Sequence, residues 1–143
     1  MTRRAADYYF AYGSNLHKLQ MGKRCPGSNP VSPFELAGWR LVFRRVADII
    51  PATESSVHGA LYTITPADEL ALDRYEGYRA DLPDLGTYRK VYVETAVDGE
   101  PAAIMFYVIN STTFAPPPLS YLEIIRQGYA DWQIDTSSLE TIL

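Results

Sequence analysis

The sequence predicts an α+β fold, a mixed β-barrel-like sheet flanked by short helices, and three observations carry that expectation. Asp98-Gly99 sits between two β-rich runs as a two-residue hairpin turn. Thr65 to Gly77 holds a helix with a complete start and stop. The 143 residues contain neither an internal repeat nor a linker, so the chain is assigned as a single domain over 1–143. With 47% hydrophobic and 21% charged residues the composition supports a buried core and excludes a disordered chain.

Taken in order, residues 7–13 (DYYFAYG) are aromatic and end on a glycine, and they read as a buried strand. Ser14 and Asn15 are good N-caps for a short helix through Leu16 and Leu19 to Arg24, closed by Cys25-Pro26-Gly27. Three prolines make 25–33 a loop. Strands follow at 34–36 and 39–45, where Leu41 and Phe43 alternate with Arg40, Val42 and Arg44, and 49–56 reads as another loop. Residues 57–65 (VHGALYTIT) have β-branched and aromatic content suited to a sheet, with Gly59 marking a bulge or a close backbone approach. Helix signals then accumulate: Thr65 as N-cap, Pro66 at the first position, Asp68 and Glu69 in the first turn, and Gly77 past the end predict a helix over 67–76. Strands at 88–97 and 102–110 flank the Asp98-Gly99 turn, 120–129 (SYLEIIRQGY) is a short helix, and 135–143 forms another on the barrel or on a second subunit.

Several chemistries are poorly supplied. A net charge of −4 argues against a nucleic-acid partner, which needs a clustered basic face. His17 and His58 are the only histidines and lack metal-ligand spacing, so each is read as a surface or capping residue, with no metal and no cofactor expected. Cys25 cannot form an internal disulfide, and a reducing, cytoplasmic setting follows as the expectation. Arg3 and Arg4 run straight into Ala5, Ala6 and Asp7 without an apolar stretch, so they are read as a solvated start, and no membrane span is expected. Ser14 lacks the second glycine of a nucleophile elbow.

Two positions carry chemistry. Gly13 allows close approach to the backbone, and the amides that follow it point outward at a helix start. The junction is either a tight turn with an N-cap or a donor site for a carboxylate or oxyanion. Glu76 ends its helix, where the macrodipole disfavours a carboxylate and lysine would be the stabilising choice. It is either a solvated glutamate at a frayed end or a partly buried acid with a raised pKa, suited to moving protons near neutrality. The chain also has 11 tyrosines against 5 phenylalanines, which suits a polar, aromatic pocket for a small molecule.

Three blocks, 9–16 (YFAYGSNL), Tyr75-Glu76-Gly77 after a helix, and 115–121 (APPPLSY), occur in the order and spacing of the γ-glutamylcyclotransferase (AIG2-like) family, and the chain resembles that family from about residue 8 to 132. The resemblance implies a compact β-barrel with flanking helices around a cavity for a γ-glutamyl group. It implies that Tyr12, Gly13, Ser14, Asn15 and Leu16 form the substrate-binding loop, that Glu76 is the acid/base, and that Tyr88, Tyr107 and Tyr121 are pocket tyrosines. Tyr8, Tyr9, Tyr62, Tyr92 and Tyr129 are left as strand or packing residues. The implied reaction converts a γ-glutamyl amino acid or amine to 5-oxoproline and the free amine, without metal or organic cofactor, in a monomer or homodimer. Residues 78–87 (YRADLPDLGT) form a loop that either caps the pocket or is an exposed turn. The alternatives are a γ-glutamylamine cyclotransferase with a specialised amine, a non-catalytic binding protein of the same fold, and a hydrolase using Ser14.

Overall fold

The computed structural model describes residues 6–143, and the solvated start expected at Arg3 and Arg4 lies outside them. Five strands, β1 (Tyr8–Ala11), β2 (Asn29–Arg44), β3 (Val46–Thr63), β4 (Tyr88–Val97) and β5 (Glu100–Ile109), form one sheet in the order β2-β3-β1-β5-β4. The sheet is mixed, because β1 runs antiparallel to β3 and parallel to β5. It is also open: β2 and β4 are its edges, so the barrel-like expectation takes the form of an unclosed sheet. Around it lie α1 (Lys18–Arg24), α2 (Pro66–Glu76), α3 (Leu119–Asp131) and α4 (Ser137–Thr141), with 3-10 turns at Ser14–Leu16 and Pro83–Leu85.

As the central strand, β1 is covered on both faces, which is why its sequence is apolar or aromatic at every position and not alternating. Tyr9, Phe10 and Ala11 are all buried. The neighbouring strand admits no side chain opposite: a Cβ on Gly59 would lie 2.3 Å from the Ala11 carbonyl oxygen, so the close approach expected there is real.

Both hairpins flank β1. The β4–β5 turn is the expected one, with Asp98 at φ 51° and Gly99 at φ 79°, the paired left-handed conformation of a two-residue turn. The β2–β3 pair corrects two expectations. Its strand begins at Asn29, inside the loop expected over 25–33, and β3 covers the loop expected over 49–56. Prolines 30 and 33 are tolerated because β2 is an edge strand, and its one outer bridge among the described residues, Arg44 to Ala115, lies at its far end. The polar run in β3 is absorbed by a bulge: the register jumps from Ala37↔Ser56 to Trp39↔Pro51, with Gly38 at φ 86° on one side and residues 52–55 of the strand left without a partner in β2 on the other.

The helices follow their signals more closely. Thr65 and Asp68 form a reciprocal capping box, Pro66 opens α2, and Gly77 at φ 67° closes it directly after Glu76. At the first helix the capping differs from expectation. Ser14 and Asn15 lie within the 3-10 turn, and α1 starts afterwards with His17 as its N-cap, the ring Nδ1 accepting from the Gln20 N–H at 3.3 Å. The C-terminal helix packs on its own chain: Leu139 is fully buried, and Arg126 of α3 pairs with Glu140 at 2.8 Å.

Candidate active site

Beyond Ala11 the chain leaves the sheet through Tyr12 and Gly13 and turns back on itself, and the turn opens a cleft. Space is tight at Gly13, where a Cβ would stand 3.1 Å from the Tyr121 hydroxyl and 3.2 Å from the Ala47 Cβ. The cleft measures about 60 Å³ and is walled by Tyr9, Tyr12, the backbone of the turn, Tyr75, Glu76, Tyr88, Tyr107 and Tyr121, with Val46 and Ala47 from the β2–β3 hairpin tip. In this measure a water occupies roughly 10–15 Å³, so the space suits a small polar group.

Seven of the eight residues expected to bind substrate, and Glu76, line this cleft. Leu16 does not. It is fully buried, its carbonyl accepts from the Trp132 Nε1–H at 2.9 Å, and its side chain lies under Gly128 of α3, so it anchors the turn from behind. Tyr9, read from sequence as a packing residue, is a cleft residue. The sequence signal for it was present, because it opens the YFAYGSNL block. Val46 and Ala47 had no local signal, since only the hairpin brings them there. None of residues 78–87 lines the cleft. That loop is closed at its base, Thr87 N–H donating to the Gly77 carbonyl at 3.1 Å and the Asn110 amide donating to the Pro83 and Gly86 carbonyls at 2.9 Å, and it is an exposed turn.

The hydroxyls are individually committed. Tyr12 donates to the Tyr107 carbonyl at 2.6 Å, and Tyr107 donates to Asp73 Oδ1 at 2.6 Å, so these two present ring faces to the cleft. Lys90 holds Asp73 in turn, at 2.8 Å. The Tyr121 oxygen accepts from the Ala47 N–H at 2.9 Å, with the Ser14 backbone amide also directed at it, which leaves its hydrogen for the cleft. Tyr9 accepts from the Asn15 amide at 2.9 Å. The Tyr88 hydroxyl makes no hydrogen bond to another described residue. Burial raises the pKa of each of these tyrosines well above the usual phenol range, with the Glu76 carboxylate adding to it at Tyr9 and Tyr88, so they remain O–H donors at neutral pH.

Glu76 is partly buried at the C-terminal end of α2 and accepts no hydrogen bond from another described residue. Burial raises its pKa to about 7, against the opposing pull of the Arg24 guanidinium. In the 3-10 turn, Leu16 and His17 donate to the carbonyls of Gly13 and Ser14, and the amides of Ser14 and Asn15 at its start have no acceptor within the turn. Cys25 is the wrong group for nucleophilic work, because burial pushes its thiol up to about 11 and it faces the Asp68 carbonyl. Among the described residues no cluster of three or more His, Cys, Asp or Glu is arranged to hold a metal ion. No described helix is long and apolar enough to cross a membrane.

A glycine turn thus leaves the central strand of an open mixed sheet, and beside it, among the described residues, Glu76 is the one carboxyl lining the tyrosine-walled cleft. The profile of the family described as "Gamma-glutamyl cyclotransferase, AIG2-like" matches residues 9–133, and the chain belongs to that family. Among solved structures it is similar to one named "Gamma-glutamyl cyclotransferase", with 22% identity, a TM-score of 0.81, and 96% of this chain and 86% of that one covered. An uncharacterized protein from Homo sapiens gives 23% identity and a TM-score of 0.80 over 97% of this chain and 87% of its own. An Arabidopsis thaliana protein is more distant, with 17% identity and a TM-score of 0.60 over 88% of this chain and 78% of its own. No curated protein matches in sequence.

Proposed function

We propose that this protein converts γ-glutamyl amino acids or γ-glutamyl amines to 5-oxoproline and the free amine, with Glu76 as the acid/base. The observation that carries the reading is Glu76 itself: a carboxyl with a pKa raised to about 7 and no hydrogen-bond partner among the described residues, in a cleft walled by tyrosines. A carboxyl so poised can take a proton and return it within one turnover. The name of the structural relative and the family membership support the same chemistry.

The reaction is intramolecular. The α-amine of the γ-glutamyl group attacks its own γ-carbonyl carbon, forming the ring C–N bond, and its proton passes to the Glu76 carboxylate. Charge collects on the former carbonyl oxygen, where the Tyr121 hydroxyl and the Asn15 backbone amide of the turn supply donors. Collapse of the tetrahedral species breaks the original C–N bond as the Glu76 carboxyl protonates the departing amine. Holding one molecule folded provides much of the rate, since oriented intramolecular attack has effective molarities of roughly 10⁵ M or more.

Incubation of the purified protein with γ-glutamyl-alanine and a panel of γ-glutamyl amines should release 5-oxoproline. Glu76→Gln should lower kcat by roughly 10² to 10⁴. The wild-type kcat/KM should rise with pH through about 7, as the base ionises. Equal turnover by Glu76→Gln would remove the proposal.

A further inference from the structure

Arg24, the last residue of α1, stands behind the cleft wall without lining it, and the reaction above does not use it. Its guanidinium has two partners among the described residues. Nη1 donates to the side-chain oxygen of Asn15, and Cζ lies over the Tyr75 ring, 3.4 Å from its centroid. One partner belongs to the turn that opens the cleft, and the other directly precedes Glu76.

The chemistry of arginine gives this contact a direction. A guanidinium has only donors, so the Asn15 atom facing it must be the oxygen. The amide nitrogen then points the opposite way, where it donates to the Tyr9 hydroxyl oxygen at 2.9 Å. With that oxygen accepting from Asn15, the Tyr9 hydrogen is turned away from Asn15, and no described protein group accepts it. Tyr9 lines the cleft and interacts electrostatically with Glu76.

We infer that Arg24 is a positioning residue: it orients the chain Arg24→Asn15→Tyr9 so that Tyr9 offers an O–H donor to a substrate oxygen beside Glu76, and through Tyr75 it clamps the end of α2 against the turn. This rests on the cyclotransferase reading for the identity of the substrate. The inference extends to Glu76 through charge. The groups facing that carboxyl are Arg24 from α1, Tyr9 and Tyr12 from β1 and its extension, Tyr88 from β4, Tyr121 from α3, and Tyr75 on its own helix, while Asp48 of β3 faces Tyr12 and Tyr88. The phenols raised by burial are neutral at pH 7, so Arg24 is the cation that favours the ionised form of Glu76. Removing it should make Glu76 ionise at higher pH.

The test uses Arg24→Met, Arg24→Lys, Tyr9→Phe and the double variant Arg24→Met/Tyr9→Phe. Two readouts are needed: kcat/KM against pH, and an NMR titration of the ¹³C-labelled Glu76 carboxyl in substrate-free protein. Arg24→Met should lower kcat roughly tenfold, the size of one charge-assisted hydrogen bond, and move both the acid limb and the titration upward. Arg24→Lys should keep the titration near wild type while still losing rate, because an ammonium lacks the planar fork. Tyr9→Phe should lose a similar factor, and the double variant little more than Arg24→Met alone, since both act through one chain. An unmoved titration in Arg24→Met with additive rate losses would overturn the inference and leave the cyclotransferase reading standing. A titration that moves in a protein that turns over no γ-glutamyl amine would sink that reading and keep the clamp.

Discussion

Glu76 should be visible in stability as well as in rate. Its pKa in the folded protein is raised to about 7 from an ordinary value of 4.5, so the folded state binds this proton more tightly than the unfolded chain does. The stabilising effect of the neutral carboxyl is complete below about pH 4.5 and is lost as pH rises through about 7. Glutamine keeps the shape and cannot ionise. Glu76→Gln should therefore match wild type in urea denaturation at pH 4 and exceed it at pH 8 by about 1–3 kcal/mol, reduced from the full shift because the group is partly solvated. A destabilised variant at pH 8 would show that the carboxylate has a native partner. This misfit was legible in the sequence, because a glutamate where a helix designer places lysine calls for a reason. The tyrosine excess was legible only in part. Residue type announces a polar aromatic pocket, but which hydroxyls face it depends on partners such as Asp73 and the Ala47 amide, from elements 34 and 74 residues away.

Among the elements, α2 was readable almost to the residue, because its start and stop are local chemistry. Asp68 does more than its place in the capping box requires. It is buried, with Oδ2 accepting from the Thr65 N–H at 3.0 Å and Oδ1 accepting from the Gly27 N–H at 3.1 Å, so it ties the loop after α1 to the start of α2. That tie fixes the distance between the helix carrying Arg24 and the helix carrying Glu76. Asp68→Ala removes a cap and leaves the Gly27 amide without its acceptor, and should cost about 2–3 kcal/mol. Asp68→Asn keeps one acceptor oxygen and should cost less, and chemical denaturation of the two variants separates the cap from the tie. The β2–β3 pair was the opposite case. Prolines and a polar run inside strands are loop signals everywhere except on an edge strand and opposite a bulge, and neither circumstance exists until the sheet has formed.

The cleft belongs to no single element: β1 delivers the turn, the β2–β3 tip delivers Ala47, α2 ends at Glu76, β4 begins at Tyr88 and α3 begins near Tyr121. Of these pieces α3 acts as a strut. Tyr121 in its first turn reaches the Ala47 amide, and Trp132 just past its end donates to the Leu16 carbonyl, so one rigid helix sets the turn from front and back. Its approach depends on Gly128, where a Cβ would stand 2.5 Å from the Leu16 Cβ and 2.9 Å from the His17 nitrogen. The motif blocks located the turn in the sequence, and the resemblance carried Leu16 into the binding loop with its neighbours; that Gly128 packs against it from behind depends on a residue 112 positions away. Gly128→Ala must push α3 away from the turn, which should cost about 1–3 kcal/mol as overpacking and displace Tyr121 from Gly13. Because a misplacement near 1 Å can cost roughly 10²-fold in rate, the proposed 5-oxoproline release should fall by about 10- to 100-fold at temperatures where the variant is folded. Gly22→Ala is the matching control. Gly22 is exposed and an added Cβ meets nothing within 4 Å, so the change should stabilise the protein by about 0.5–1 kcal/mol and leave turnover unchanged. Full activity in a folded Gly128→Ala variant would mean that the turn keeps its geometry without the helix behind it.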